Sequence, residues 1–451
     1  ASGLGAMAAD VAGTPQPRSF DVQLLSSGAS GGEDVAACRR IRGGRVWACL
    51  AVVLGSSTVL CQVVWSIWKD KAIRTMLEIN DDEVNIHCGA GLIMQNITRS
   101  VDWPGCGVQP WTDNCTLPCY PKELPLQIAE FNTEHGGRLL SYPSRPHPDI
   151  EGVELRGWYL PARADRVPEG RRAPRVVLQH GFRENSNNWR IVLLSYMLRQ
   201  CGIDVLANNF RDHCYSDRSS AHMYEWGNAY PYDLLGAWDF ARSDPRGEMG
   251  GPVDGAHVGV GGFSKGGFTA LSVMGVEPRM AAAWVDGSPF LPGPAWQHLT
   301  TKFLRKRRVP AWLTRWLVGR TWLDIDRAAL DRGTNLSRHT PSSSLPLGPD
   351  TRRPLYIIDN RGDATCPMSF HEELMDVLRV IPEKYTVQEG GPWLSGVQCH
   401  GNPHCTLHLS LFGEYLGRLC RFWRATFDLG PSECDAIVEE VTRRLPATVP
   451  A

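Results

Sequence analysis

Residues Val258–Gly275 read VGVGGFSKGGFTALSVMG. A β-branched run broken by glycines leads into Gly262-Phe263-Ser264-Lys265-Gly266, and an apolar helix-like stretch follows. This order of strand, tight turn and helix suits a nucleophilic serine. The turn lifts the hydroxyl clear of the sheet, the glycines admit close backbone approach, and the new helix aims its first N–H groups at a developing oxyanion. A Gly/Ser turn without chemistry is the plainer reading of the pentapeptide alone. The flanking strand and helix favour Ser264 as a nucleophile.

Outward from this elbow, strand-like and helix-like segments alternate. Val153–Ala162, Arg175–Phe182, Ile203–Phe210, Met280–Ser288, Pro354–Asp363 and Lys384–Gly390 read as strands. Trp189–Gly202, Tyr230–Ser243, Met368–Ile381 and His408–Phe427 read as helices, the first closed by Gly202. Such alternation predicts an α/β domain with a mostly parallel central sheet covered by helices on both faces. Between Phe290 and Pro354 the alternation breaks into a helical, basic, Trp-rich stretch, read as an inserted cap at about 290–353.

A serine hydroxyl is inert near neutral pH until a base takes its proton, and that base is usually a histidine held by a carboxylate. Candidate acids are Asp359 and Asp363 in YIIDNRGDATCP; candidate bases are His400, His404 and His408 in QCHGNPHCTLHL. Together with the elbow, these segments resemble the α/β-hydrolase family over about Leu124–Phe427. The family's chain order is Ser, then acid, then His. The resemblance implies Asp363 as the acid, Asp359 being a loop hydrogen-bonder. It implies His404 as the base, ahead of Tyr415 and Phe422-Trp423, with His408 and His400 as alternatives. It also implies an oxyanion hole made by the backbone N–H groups of Phe182 and Lys265, with His180 structural. NNFRDHCYSD (Asn208–Asp217) is similar to a family turn, but Asn209, Asp212 and Cys214 stand where an Asp and two glycines are usual. Lys265 is a further departure: its cation would either favour an anionic substrate or lie over the sheet edge.

Ahead of this domain, residues 1–45 read as a flexible tail. Val46–Trp68 is an uncharged run long enough to cross a bilayer as a helix. Arg39, Arg40, Arg42 and Arg45 precede it, which orients the N-terminus to the cytosol and the rest to a lumen or the cell exterior. Sequons at Asn96, Asn114 and Asn335 agree, as do eleven cysteines after the run. Cys88, Cys106, Cys115 and Cys119 suggest a disulfide-stapled neck over 69–123, and Cys399 and Cys405 could lock the His404 loop. The α/β domain is placed at 124–430, followed by a tail at 431–451. Irregular spacing of His and Cys argues against a metal, and no cofactor is expected.

The chain has 43% hydrophobic and 21% charged residues and a net charge of −1, so neither disorder nor a nucleic-acid partner is expected. Lys302, Arg305, Lys306, Arg307, Arg308, Arg315 and Arg320 alternate with tryptophans in the cap. This is either an ordinary solvated face or a surface for anionic lipid. The expectation is a single-span, membrane-anchored serine hydrolase, similar to lysophospholipase, monoacylglycerol lipase and thioesterase relatives, acting on an ester or thioester. A prolyl-oligopeptidase-like peptidase and a catalytically inactive scaffold or subunit of a membrane complex are the alternatives.

Overall fold

The computed structural model describes residues 62–63, 65–85, 88, 107–108, 116–117, 137–363, 365–390 and 404–443. Eight strands build one sheet: β1 (Arg138–Pro143), β2 (Glu154–Leu160), β3 (Arg175–Gln179), β4 (Asp204–Asn208), β5 (Val258–Phe263), β6 (Ala283–Asp286), β7 (Arg353–Ile358) and β8 (Tyr385–Glu389). Their order across the sheet is β8-β7-β6-β5-β3-β4-β2-β1. Neighbours from β8 to β4 run parallel, and β2 is antiparallel to both β4 and β1. A separate antiparallel pair joins Gly107–Val108 to Thr116–Leu117. β1 is not anticipated from the sequence. Only Leu140 and Tyr142 of that strand are buried, and Arg138 and Ser141 dilute its pattern.

Among the described residues the helices longer than a single turn are, in chain order, α1 (65–77), α2 (Trp189–Gln200), α3 (Tyr230–Ser243), α4 (Lys265–Val276), α5 (Pro292–Lys306), α6 (Ala311–Asp331), α7 (Met368–Arg379), α8 (Phe412–Thr426) and α9 (Cys434–Arg443). Strand side chains alternate between two cores, as a pleated sheet buried on both faces requires. Trp284, Tyr356 and Ile358 face α2, α8 and α9. Val260, Val285, Leu355 and Ile357 face α3, α4 and α7. A third cluster lies under the cap, where α1, α5 and α6 bury Met76, Leu77, Trp296, Leu317 and Ile325 with Phe210, Tyr224 and Tyr230.

Several expectations are corrected. Residues 434–443 are not tail: Ile437 and Val441, one helical turn apart, are buried, and Cys434 is disulfide-bonded to Cys420. The run His408–Phe427 is not one helix. It divides into a single turn (Leu407–Ser410) and α8, because Leu411 leaves helical space at φ −126° and ψ 45°. Residues 69–85 are not a separate neck but fold onto the cap cluster, with Ala72, Met76, Leu77 and Val84 buried. Cys88 bonds Cys214, a partner on the body, and Cys405 is free and buried, as are Cys201 and Cys366. Cys106, Cys115, Cys119 and Cys399 lie outside the described residues, as do Asn96 and Asn114. Asn335 is exposed, its side chain accepting the Ser337 N–H at 3.1 Å.

Apart from 62–63 and 65–68, the run Val46–Trp68 also lies outside the described residues. Among those described, no helix is long and apolar enough to cross a membrane. The C-terminal end of the run packs on protein: the Trp65 ring meets Trp316 edge-on at 5.0 Å, and Trp68 Nε1 donates to Thr321 Oγ1 at 3.0 Å.

Trp423 joins α8 to the sheet, fully buried and stacked on Phe427 at 5.3 Å. Trp423→Ala should lower the unfolding free energy by about 3–5 kcal/mol, the usual cost of such a cavity, read from the denaturant midpoint. A loss below about 1 kcal/mol would show that this layer of core is not what holds α8.

Candidate active site

Ser264 sits between β5 and α4 at φ 51° and ψ −120°, a left-handed conformation rare for a residue with a Cβ. Its backbone N–H donates to the Asp286 carbonyl at 2.9 Å, which fixes the turn to the neighbouring strand. The flanking glycines are there for space. A Cβ on Gly262 would collide with the Gly266 backbone, and one on Gly266 with the Gln179 carbonyl. The turn and the start of α4 are thus pressed onto the end of β3.

Strand register brings the other components to the same edge. Phe263, Asp286 and Ile358 are in register across β5, β6 and β7. The chain leaving β7 therefore emerges beside the elbow, and the next turn carries Asp363. Asp363 Oδ1 accepts the N–H groups of Thr365 and Cys366 at 2.7 and 3.0 Å, and Oδ2 lies 2.6 Å from His404 Nδ1. The Asp363 side chain is 2% exposed and that of His404 is 15% exposed, so one end of the imidazole remains reachable. Among the described residues no hydrogen bond joins Ser264 Oγ to His404, but both line one cavity of about 200 Å³.

The other candidates fall elsewhere. Asp359 is held by His371, its Oδ2 2.8 Å from His371 Nδ1, and His371 Nε2 reaches Glu389 at 3.2 Å. Burial pushes the Asp359 carboxyl up. Burial pulls the His371 imidazole down, but Asp359 and Glu389 outweigh it, and the net direction is upward. His408 is fully buried between Phe263 and Tyr415, with ring centroids 4.9 and 5.6 Å away. Burial, then Arg190, drive it well below the usual imidazole range. His400 lies outside the described residues.

Phe182 lines the same cavity as Ser264, and Lys265 follows the serine directly. Gly181 is close enough that a Cβ there would sit 3.6 Å from Ser264 Cβ, and Lys265 opens α4. The Lys265 side chain neither faces the cavity nor lies over the sheet edge: it is fully buried among aromatic rings. In the Asn208–Asp217 turn, Asp212 and Cys214 adopt φ 62° and 53°, left-handed values that glycine takes more readily. The Asp212 carboxylate accepts from Ser219, and the Cys88 disulfide holds Cys214.

Several contributors are not legible in the sequence. The cavity walls include Met76 from α1, Trp226 from the loop before α3, and Trp296 and Leu299 from α5. At its rim Arg190 pairs with Glu184 at 2.8 Å and donates to the Cys405 carbonyl at 3.1 Å, while Glu184 accepts the Gly181 N–H at 3.0 Å. Only the closeness of Glu184 and Arg190 to the His180-Gly181 segment could have pointed to them. Among the described residues no cluster of His, Cys, Asp or Glu could hold a metal ion.

Residues 174–322, less than half of the chain, match the family described as alpha/beta hydrolase fold. With the sheet order and the elbow, this gives the chain the α/β-hydrolase fold. Among solved structures, an esterase of Pyrococcus furiosus is 16% identical, with 71% of this chain and 98% of that one covered and a TM-score of 0.44. An alpha/beta hydrolase from Penicillium sp. sh18 is 14% identical, with coverage of 65% and 99% and a TM-score of 0.43. A puromycin-hydrolysing peptidase of Mycobacterium tuberculosis is 16% identical, with coverage of 64% and 39% and a TM-score of 0.41. No curated protein matches the sequence.

The two acids are separable by reactivity toward a fluorophosphonate, which captures an activated serine. Asp363→Asn should slow capture by about 10³–10⁴-fold, the cost of losing the carboxylate that orients a catalytic histidine. Asp359→Asn should stay within about tenfold, as expected for a group that acts only at a distance. The reverse ranking would assign the acid to Asp359.

Proposed function

We propose that the chain is a membrane-associated serine hydrolase that cleaves an ester or thioester of a lipid-like acyl substrate. One observation carries this reading: an apolar cavity is lined by Ser264, on a strained elbow, and by His404, bonded to Asp363 at 2.6 Å. In this reading His404 Nε2 takes the Ser264 hydroxyl proton as Oγ attacks the carbonyl carbon. The charge that forms on oxygen is received by the Phe182 and Lys265 N–H groups. The intermediate collapses by breaking the bond to the alcohol or thiol, which leaves with the proton from His404. Water, deprotonated by the same histidine, then releases the acid and restores Ser264.

Three features favour a lipid-like substrate. The cavity is walled by Met76, Phe182, Trp226, Trp296 and Leu299. Helix α1, which supplies Met76, shares residues 65–68 with the uncharged run Val46–Trp68. On the outer side of α6, Trp312, Trp316, Leu323 and Leu330 are exposed by 68, 45, 64 and 53%, opposite the face that buries Leu317, Thr321 and Ile325. Arg315, Arg320 and Arg327 flank that stripe, and from Lys302 to Arg320 there are seven basic residues and no acidic one. Such a helix suits the plane of an anionic bilayer surface.

The test is direct. Membranes carrying the full chain should be labelled by a fluorophosphonate, and Ser264→Ala should remove the label. On p-nitrophenyl esters, kcat/KM for octanoate should exceed that for acetate by about tenfold or more, since each buried methylene contributes about 0.8 kcal/mol. Labelling that survives Ser264→Ala would refute the nucleophile. A preference for acetate, or for anilides over esters, would refute the lipid-like substrate. Absence of labelling in folded wild-type chain would favour an inactive scaffold.

A further inference from the structure

Lys265 is the buried cation that the reaction above leaves unused. It follows the nucleophile directly, is fully buried, and its Nζ has no hydrogen-bond partner among the described residues. Four rings surround it instead. Their centroids lie at 4.2 Å for Tyr230, 4.6 Å for Phe210, 5.2 Å for Tyr224 and 5.5 Å for Phe182. Aromatic faces attract a cation, and most strongly where water is excluded. The rings also brace one another: Phe210 stacks on Tyr230 at 4.2 Å, and Phe182 meets Tyr224 at 4.6 Å.

One of the four rings belongs to the oxyanion loop. The Phe182 ring carries Lys265 on one contact and the Arg183 guanidinium, 5.1 Å from its centroid, on another. The peptide unit that presents the Phe182 N–H has the Gly181 carbonyl at its other end. That carbonyl is 3.0 Å from His180 Nδ1, while His180 Nε2 accepts the Phe210 N–H at 3.3 Å. The two contacts require a neutral imidazole that donates from Nδ1. Burial and then the Lys265 charge supply this, pulling His180 down to about 3. Burial also pulls Lys265 well below the usual lysine range, and Glu184 and Asp233 oppose it; the four ring faces likewise favour the charged form.

We propose that the Lys265 side chain is a positioning residue for the oxyanion hole, its aromatic cage tying the Phe182 loop to the start of α4 so that the two backbone donors converge. The inference rests on the serine-hydrolase reading of the site. In it, Lys265 contributes its N–H to the oxyanion directly and its side chain holds the other donor in place. Removing the side-chain charge leaves both donors present but poorly aimed. Misaim of this kind lowers kcat and spares KM, because the oxyanion exists only in the transition state.

The experiment compares full-length wild type with Lys265→Met, Lys265→Arg, Phe182→Leu and the double variant Lys265→Met/Phe182→Leu on a p-nitrophenyl ester. Melting temperatures are recorded alongside. Lys265→Met should lose about 10–100-fold in kcat, the scale of a slightly misplaced catalytic group, with KM within about threefold. Lys265→Arg, which keeps a cation on the rings, should recover part of the loss. The double variant should be little worse than the poorer single variant, because both remove one linkage. Binding of a trifluoromethyl ketone, which forms a tetrahedral adduct, should weaken in parallel with kcat. A folded Lys265→Met with wild-type kcat overturns the proposal, as do fully additive losses in the double variant. If Lys265→Met does not fold, Phe182→Leu carries the test alone, and wild-type kcat there overturns it. Fluorophosphonate capture by wild type, lost in Ser264→Ala, tests the underlying reading separately.

Discussion

Gly266 lies against the Gln179 carbonyl with no room for a Cβ, and Gly262 lies against Gly266 in the same way. The rest of the site depends on this contact. It lets α4 begin directly on the end of β3, so the loop that follows β3 passes beside Ser264. It also forces Ser264 into left-handed space, a cost of about 1–3 kcal/mol for a residue with a Cβ. Parallel pairing of β5, β6 and β7 then delivers the Asp363 turn to the same edge of the sheet. Neither the Asp363 turn nor the Gly181-Phe182 loop would meet the elbow if β5 and α4 were separated by a looser turn.

Charge behind this edge is buried, and the fold compensates each case differently. Arg211 and Asp233 form a pair with both side chains at 1% exposure or less, and the Asp233 carboxylate also accepts the Arg211 N–H. Buried pairs of this kind persist where hydrogen bonds satisfy the remaining atoms. Asp286, behind the elbow, accepts from the Tyr415 hydroxyl at 3.2 Å, and burial, reinforced by Asp359, pushes its carboxyl well above the usual range. Lys265 is compensated by ring faces rather than by an anion, and this ties its charge to the loop that carries Phe182.

The cap links the cavity to the exterior. Helix α5 contributes Trp296 and Leu299 to the cavity wall, and its later residues lead into the basic stretch that ends on α6. Helix α6 is apolar on two opposite sides. One side buries Leu317 and Ile325 against the body, and the other exposes Trp312 and Trp316. Helix α1 packs on α6 through Trp65 and Trp68, at the end of the uncharged run, and reaches the cavity with Met76.

The fold was legible because it rests on local patterns. Runs of β-branched residues alternating with amphipathic helices specify a parallel sheet, and a glycine-flanked serine between strand and helix marks the elbow whatever lies around it. The order of serine, acid and histidine narrowed each partner to two or three candidates, the resemblance put Asp363 and His404 first among them, and the structure places those two side by side. Asp359 and Asp363 are four residues apart in one loop, and only the geometry of that loop turns one toward His404 and the other toward His371. His408 looked available in sequence, but it sits on the turn before α8, whose packing against Phe263 buries it completely. The surroundings of Lys265 were beyond sequence reasoning altogether. Its four rings come from residues 182, 210, 224 and 230, which converge only once β3, β4 and α3 are in place. The sequence by itself determined the strand–turn–helix frame, because backbone sterics and hydrophobic periodicity act between near neighbours. Tertiary structure decided which charges met, which were buried and which faced the cavity, because those outcomes depend on side chains brought together from distant parts of the chain.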